Sequence, residues 1–346
     1  MTRRTSLLVV DDNELNRDAL SRRLRQKGYD VELAADGEQA LALAASRAFH
    51  LILLDVEMPG ASGLEVLPEI IRLGKGARVL IVSSMAEHGA ETNVRALALG
   101  AADTLPKPGI GNFAGRFSAV LADRLRRIGR AERDPELTEA VAEPPPLRLR
   151  DMPDAPLGCV ALAASTGGLP ALFEFLRALP GRVDAPILIT QHLPPIFMPH
   201  FARQLAAVSG RAARVADDGD LVEKDVLHVA PGEAHLCVAP SKEGVRIRLD
   251  VKRVASGCRP SADPMLASVA EIYRAEGLGV MLSGMGRDGL VGARRLVDKG
   301  GAMLAQDRHS AALWGMPRVV AEAGLASANL PPAELARRVA ERASWR

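Results

Sequence analysis

Short apolar runs alternate with amphipathic segments along the chain, and this alternation limits its possible folds more than any other feature. The runs in the first 130 residues are 7–10, 31–33, 51–54, 79–82 and 104–105. Segments with helical spacing of apolar residues begin near residues 14, 37, 64 and 91, and a last one ends near 129. Strands separated by helices favour right-handed crossovers and a parallel sheet covered on both faces. The pattern predicts an α/β fold whose functional groups lie at the carboxyl ends of the strands.

The same alternation resumes near residue 158. Strands are predicted at 158–163, 186–190 and 278–282, and helices at 169–179, from about 265, and at 290–299. Shorter strand-like pieces lie at 226–230, 236–238 and 245–249, and Gly244 favours a turn between the last two. The second half is therefore predicted to be a mainly parallel α/β sheet with a small antiparallel hairpin insertion.

A stretch rich in proline and charge, residues 131–156, separates the two halves. Its three consecutive prolines, Pro144 to Pro146, neither continue a helix nor supply strand donors, so they favour an extended spacer. A length of 346 residues suits two domains. We therefore predict domains at 1–128 and 155–346 joined by a Pro-rich linker at 129–154.

The composition argues against several classes of protein. The 44 basic and 42 acidic side chains nearly balance, and aromatic residues are only 3% of the chain, so nucleic-acid binding is not expected. Cys159, Cys237 and Cys258 are far apart and lack C-x-x-C spacing, so neither a disulfide framework nor a zinc site is expected. The apolar run after Arg4 is too short for a signal peptide, and no stretch approaches about 18 apolar residues. These features predict a cytoplasmic protein without membrane insertion.

Five polar side chains follow predicted strands of the first half. Asp11 and Asp12 follow the first strand, Asp55 the third, Ser83 the fourth and Lys107 the fifth. Each acid alone could be a helix N-cap. Together at one sheet edge, the carboxylates favour Mg²⁺, and the set suits phosphoryl transfer onto Asp55 with Lys107 holding a phosphate oxygen.

The motifs LLVVDD, LILLDVEMPGASGLEVL, VLIVSS and LPKP resemble the response-regulator receiver domain over about residues 1–125. The resemblance implies a flavodoxin-like, doubly wound, parallel five-stranded sheet and phosphorylation by a chemotaxis histidine kinase. It also implies a role for each polar residue: Asp55 as the phosphoryl acceptor, Asp11, Asp12 and Asp55 as Mg²⁺ ligands, Ser83 as the switch hydroxyl and Lys107 as the phosphate contact.

Three residues of the second half could form a hydrolytic site. Ser165 follows the strand CVALAA and precedes a Thr-Gly-Gly turn, His192 ends the strand ILITQH, and Asp288 lies in SGMGRDG after another strand. Each residue alone has another explanation. The turn at Ser165 could bind a phosphate, His192 could be a packed histidine, and Asp288 could be a helix N-cap. At the ends of strands in one parallel sheet they can meet as nucleophile, base and orienting carboxylate. Their chain order is not that of α/β-hydrolases, and no G-x-S-x-G motif is present.

The motifs AASTGG, QHLPPIFMPHFARQL, HVAPGEAHL, CRPSADPML, LSGMGRDG and MLAQDRHSAALWGMP resemble the catalytic domain of the chemotaxis protein-glutamate methylesterase over about 155–346. The resemblance implies hydrolysis of γ-glutamyl methyl esters on methylated chemoreceptor helices, often with deamidation of receptor glutamines. It implies no cofactor at the esterase site, and we expect a monomer.

The resemblance also implies individual roles in the second half. Ser165 would be the nucleophile, His192 the general base and Asp288 the residue that orients the imidazole. The backbone N–H of Met285 is a candidate oxyanion donor, and Thr166 a neighbour that supports His192.

Several positions depart from the family patterns. Receiver domains usually carry a larger apolar residue and often Asp where this chain has Ala61 and Ser62, and Ala163 stands where the methylesterase family commonly has Gly. Cys258 stands where the family commonly has histidine before Arg-Pro-Ser, and we expect it to be a small loop residue at which a substrate contact is altered.

Two other functions stay open from the sequence. A transcriptional response regulator would bind DNA, but the second half lacks a helix-turn-helix signature and a basic recognition face. A signalling adaptor would keep the fold without catalysis. The preferred hypothesis is an esterase whose Ser165 site is controlled by phosphorylation of Asp55.

Overall fold

The computed structural model describes residues 4–83, 87–107, 116–130 and 147–344. The chain divides into two compact units, Met1–Glu143 and Pro144–Arg346. Residues 131–146 of the predicted linker lie outside the described residues. Residues 147–157 have no regular secondary structure, and Leu147 packs against the core of the second unit. The amide of Arg150 also donates to the carbonyl of Ala326 (2.9 Å).

The first unit is a parallel sheet flanked by helices. Its strands are β1 (Ser6–Val10), β2 (Asp30–Ala34), β3 (Leu51–Asp55), β4 (Arg78–Ser83) and β5 (Asp103–Pro106). Its helices are α1 (Glu14–Gln26), α2 (Gly37–Ser46), α3 (Gly63–Leu73), α4 (Glu87–Ala98) and α5 (Arg116–Arg130). The strands are all parallel, in the order β2-β1-β3-β4-β5. This confirms the predicted five-stranded doubly wound fold.

Local signals in the sequence start several of these helices. The side chains of Asn13 and Asp36 accept hydrogen bonds from backbone amides of the first turns of α1 and α2. Ser62 and Glu65 form a reciprocal capping box at the start of α3. Each cap starts a helix soon after a strand ends, so the loops after β1, β2 and β3 are short. Polar residues in these loops therefore lie at the edge of the sheet.

The second unit is a larger α/β structure. Its strands are β6 (Cys159–Ala164), β7 (Ile187–Gln191), β8 (Ala213–Val215), β9 (Leu227–Val229), β10 (His235–Ser241), β11 (Gly244–Asp250), β12 (Gly277–Met281), β13 (Ala302–Gln306) and β14 (Ala326–Leu330). Its helices are α6 (Gly168–Ala178), α7 (Met198–Ser209), α8 (Ala262–Tyr273), α9 (Leu290–Asp298), α10 (Met316–Glu322) and α11 (Pro332–Ala343).

Seven of these strands form one sheet, in the order β14-β13-β12-β6-β7-β9-β8, and their pairings are all parallel. β10 and β11 pair separately as an antiparallel hairpin. This confirms the predicted mainly parallel sheet with a hairpin insertion.

The position of β6 in the sheet decides where a site can form. β6 lies between β12 and β7. The chain first adds β7, β8 and β9 on one side of β6, and later adds β12, β13 and β14 on the other side. Crevices at the carboxyl ends of strands around such a reversal are the usual binding sites of open α/β sheets. The loops after β6, β7 and β12 all open at this crevice.

The structure contains, within its described residues, no helix that is both long and apolar enough to span a bilayer.

Candidate functional site

Ser165 lies in the tight turn between β6 and α6. Its amide donates to the carbonyl of Ser283 (3.0 Å), and its own carbonyl accepts from the amide of Gly168 (2.8 Å). Gly167 has a φ of +70°, a conformation that glycine adopts without strain. A Cβ at Gly168 would lie 2.7 Å from the Ser283 carbonyl oxygen, so the turn closes only with glycine there. The turn thus holds a largely buried hydroxyl at the N-terminal end of α6.

His192 directly follows β7 and bridges the other two predicted residues. Its Nδ1 lies 2.9 Å from Oγ of Ser165, and its Nε2 lies 2.9 Å from Oδ2 of Asp288. Its amide donates to the carbonyl of Ala164 (3.3 Å), which extends the β6–β7 pairing. The structure therefore brings Ser165, His192 and Asp288 into one hydrogen-bonded chain.

Asp288 is only 1% exposed and is surrounded by hydrogen-bond donors. The hydroxyls of Ser256 and Ser261 donate to Oδ1 (2.6 Å each), and the amide of Ala262 donates to Oδ2 (2.7 Å). Burial by itself raises the pKa of Asp288, but the bonds from His192, Ser256 and Ser261 outweigh it and lower that pKa to about 2. The carboxyl group is therefore ionised at neutral pH.

The electrostatics of His192 follow from the same contacts. Burial by itself lowers the pKa of the imidazole, whereas hydrogen bonding to Asp288 and Cys258 favours the charged form and raises that pKa to about 9. The site therefore stabilises an imidazolium, the species that forms when His192 accepts a proton.

Two serines that support Asp288 were not predicted as site residues. Ser261 lies in the motif CRPSADPML, and Ser256 precedes that motif by two residues. Both lie in the segment between β11 and α8, which reaches the sheet edge from outside the strand pattern. The other site residues were predicted because they directly follow strands. Ser256 and Ser261 do not, so that signal could not identify them.

The loop after β12 passes directly against Ser165. A Cβ at Gly284 would lie 2.9 Å from Cβ of Ser165, and the Gly284 amide donates to the carbonyl of Leu313 (3.0 Å). Met285 is the next residue and is partly exposed. Thr166 accepts a bond at its carbonyl from the hydroxyl of Ser283 (3.4 Å). Among the described residues, no hydrogen bond joins Thr166 to His192.

The predicted acidic residues of the first unit form a second cluster. Carboxylate oxygens of Asp11, Asp12 and Asp55 lie within 4.8 Å of one another. Asp11 and Asp55 are buried, and Asp12 is exposed. Buried, mutually repelling carboxylates are a donor set that suits Mg²⁺, so these residues fit that ion.

Lys107 and Ser83 lie at the same edge of the first sheet. Lys107 Nζ donates to Oδ2 of Asp55, and the Glu57 amide donates to Oδ1 (3.0 Å). Burial raises the pKa of Asp55 to about 6 even though Lys107 opposes the shift. The hydroxyl of Ser83 is buried and donates to Oδ1 of Asn93 on α4 (2.7 Å). Asn93 was not predicted from the sequence.

The fold and the two clusters define a class of protein: a receiver-type unit with an acidic pocket, followed by an α/β unit with a hydrogen-bonded Ser-His-Asp chain. The family model of the CheB methylesterase matches residues 160–339, and that of the response regulator receiver domain matches residues 7–112. The chain belongs to the CheB methylesterase family.

Relatives of this chain match it over nearly its full length. The protein-glutamate methylesterase/protein-glutamine glutaminase 2 of Caulobacter vibrioides is 39% identical over 97% of this chain and 98% of its own. The corresponding protein 3 of Anaeromyxobacter dehalogenans is 39% identical over 96% and 98%. The crystal structure of the Thermotoga maritima CheB methylesterase catalytic domain is 33% identical, covers 54% of this chain and 99% of that one, and superposes with a TM-score of 0.52. These findings confirm the resemblance and make this chain a hydrolase with a receiver domain.

Proposed function

We propose that this protein is a phosphorylation-regulated protein-glutamate methylesterase that hydrolyses γ-glutamyl methyl esters on the cytoplasmic helices of chemoreceptors. The observation that carries the proposal is the hydrogen-bonded chain from Ser165 through His192 to Asp288 at the edge of the second sheet. The names of the full-length relatives support the reaction.

The first chemical step is attack on the ester. Oγ of Ser165 bonds to the ester carbonyl carbon while Nδ1 of His192 accepts the hydroxyl proton. Asp288 stabilises the imidazolium through Nε2. The imidazolium then gives its proton to the departing methoxy oxygen, so methanol leaves and a glutamyl ester of Ser165 remains. Water then gives a proton to His192 and attacks the acyl carbon. The bond between that carbon and Oγ breaks, and the imidazolium returns its proton to Oγ, so glutamate leaves and Ser165 is restored.

Two features stabilise the negative charge that forms on the carbonyl oxygen during attack. The N-terminal end of α6 follows the serine turn, and the backbone N–H of Met285 comes from the loop that passes against Ser165. Attack on a primary amide at the same γ-carbon gives the same kind of tetrahedral intermediate. We therefore include deamidation of receptor glutamines, with ammonia as the leaving group.

Regulation is assigned to the receiver domain, residues 1–128. Asp55 accepts a phosphoryl group from a chemotaxis histidine kinase. Asp11, Asp12 and Asp55 would hold Mg²⁺, which would supply positive charge to neutralise the phosphoryl oxygens. Lys107 pairs with the phosphoryl group, and the hydroxyl of Ser83 exchanges Asn93 for a phosphate oxygen. The resulting change, passed through the linker at 129–154, gives substrate access to the catalytic domain at 155–346. We expect a monomer in the cytoplasm.

Methanol release from a methylated chemoreceptor preparation tests this function. Wild type should release methanol, and Ser165→Ala should lose at least about 10³-fold in rate, because the nucleophile is missing. Ser241→Ala, which changes an exposed serine of the hairpin, is the matched control and should keep the wild-type rate. A wild type without activity would favour a non-catalytic adaptor, and an active Ser165→Ala would exclude the proposed nucleophile.

A further inference from the structure

Cys258 brings a thiol to the hydrolytic site. It lies in the segment between β11 and α8, which also supplies Ser256 and Ser261 to Asp288. The thiol lies close to two residues of the predicted site. Three possible ligand atoms lie within 4.8 Å of one another: a ring nitrogen of His192, Sγ of Cys258 and a carboxylate oxygen of Asp288. Cys258 is half-buried, and neither of the other cysteines is part of this group.

The three atoms have the chemistry of a site for a borderline-soft divalent ion. Thiolate, imidazole and carboxylate are the ligands that Zn²⁺ takes, with bonds of about 2.0–2.3 Å. Tetrahedral bonds of that length place ligand atoms about 3.3–3.8 Å apart, so the present separations, which are at most 4.8 Å, would have to shorten by no more than about 1.5 Å. Gly257 next to Cys258 has a φ of +70° and no atom within 4 Å of its Cβ position, so this loop has room to shift.

We infer that His192, Cys258 and Asp288 form an inhibitory binding site for Zn²⁺ or a similar divalent ion at the esterase centre. The inhibitory effect rests on the proposed function, whereas the binding does not. The ion is a competitor for the catalytic histidine and is not a cofactor of the reaction.

The geometry at His192 explains why binding would block catalysis. Nε2 is the ring nitrogen beside Asp288, so it is the nitrogen that takes the metal. A neutral imidazole that binds a metal through Nε2 carries its proton on Nδ1. Nδ1 faces Oγ of Ser165 at 2.9 Å, and a protonated Nδ1 no longer accepts the proton of that hydroxyl. Cys258 releases its thiol proton to solvent when the metal–sulfur bond forms.

Cobalt is a spectroscopic probe for this site that does not depend on activity. Full-length protein is titrated with Co²⁺ in excess Mg²⁺, which occupies the acidic pocket of the receiver domain. We expect about one equivalent of Co²⁺ to give a thiolate-to-cobalt charge-transfer band in wild type and in Ser165→Ala. The band should vanish in Cys258→Ser and persist in Cys237→Ala, the control at a buried cysteine of β10.

Inhibition is then measured with Zn²⁺ on methanol release, as a fraction of the metal-free rate of each variant. The Zn²⁺ concentration for half inhibition should rise at least tenfold in Cys258→Ser and stay unchanged in Cys237→Ala. Absence of the band in wild type, or equal Zn²⁺ sensitivity of Cys258→Ser, would overturn the inference. A Cys258-dependent band in a protein that releases no methanol would instead contradict the proposed esterase function and leave the metal site standing.

Discussion

Oδ2 of Asp288 lies 2.9 Å from Nε2 of His192, which leaves Nδ1 as the ring nitrogen that faces Ser165. The pKa of Asp288 is about 2, so its carboxylate accepts the Nε2 proton in both forms of the ring. Because the pKa of His192 is raised to about 9, the imidazolium predominates at neutral pH, and the lone pair of Nδ1 faces the Ser165 hydroxyl only in the neutral form. In the proposed mechanism, Asp288 selects the tautomer of this neutral form in which His192 is a base.

Asp288→Asn tests this selection of the tautomer. An asparagine amide donates to Nε2 and favours the ring with its proton on Nδ1, so kcat should fall by about 10⁴-fold. KM should change little, because the variant keeps the shape of the site. Circular dichroism checks that the variant is folded. A kcat within threefold of wild type would show that Asp288 does not set the tautomer.

The two serines that donate to Oδ1 of Asp288 should differ in their effect on stability. Ser261 is buried and also caps α8, so Ser261→Ala should lower the free energy of unfolding by about 1–3 kcal/mol. Ser256 is exposed, and water can replace its hydroxyl, so Ser256→Ala should cost less than about 1 kcal/mol. Urea denaturation of both variants measures the difference. Equal losses would contradict the argument from burial.

His228 on β9 should make the second unit sensitive to acid. Its ring is fully buried, and its Nε2 accepts a hydrogen bond from the amide of Glu223 (3.1 Å). Burial and the charge of Arg214 lower the pKa of His228, and they outweigh the opposing effects of Glu223 and Asp220. Below about pH 6.5, His228 therefore binds a proton in the unfolded chain but not in the folded chain. The contribution of the neutral ring to the free energy of unfolding is present above that pH and is lost as pH falls.

The measurement is the free energy of unfolding between pH 7.5 and 5. His228 should contribute a slope of up to about 1.4 kcal/mol per pH unit below pH 6.5. In His228→Gln, the side-chain oxygen can accept the Glu223 bond without titrating, so this part of the slope should disappear. An unchanged slope in His228→Gln would assign the acid sensitivity to other groups.

Asp55→Ala tests the regulatory site. Acetyl phosphate with Mg²⁺ should raise the rate of methanol release by wild type, and the variant should show no rise, because the acceptor carboxylate is missing. Asp18→Ala, which changes an exposed carboxyl group of α1, should respond as wild type does. Equal stimulation of Asp55→Ala would show that Asp55 is not the acceptor.

Much of the fold followed from the apolar pattern, but several elements of the second unit did not. β13 (AMLAQ) and β14 (ASANL) contain no β-branched residue, so their own propensity for strand is low. Pairing with β12 and with each other places them in the sheet. The start of α7 is hidden by Pro194 and Pro195, which indicate the end of a strand more strongly than the start of a helix.

The candidate site shows the same division. Ser165, His192 and Asp288 follow strands that are neighbours in the sheet, so their meeting could be predicted from chain order and topology. Ser256 and Cys258 reach the site through a segment that follows the hairpin. Ser256 contacts a residue 32 positions away in the chain. No local spacing rule connects such residues, because the position of the segment depends on tertiary packing.

Labelling with a serine-directed fluorophosphonate tests the central claim, that His192 activates Ser165 as the nucleophile. Mass spectrometry of the digested wild-type protein should place one adduct on Ser165, and His192→Gln should slow the labelling by at least about 100-fold. An adduct on another residue, or labelling of Ser165 at an equal rate in His192→Gln, would contradict the account.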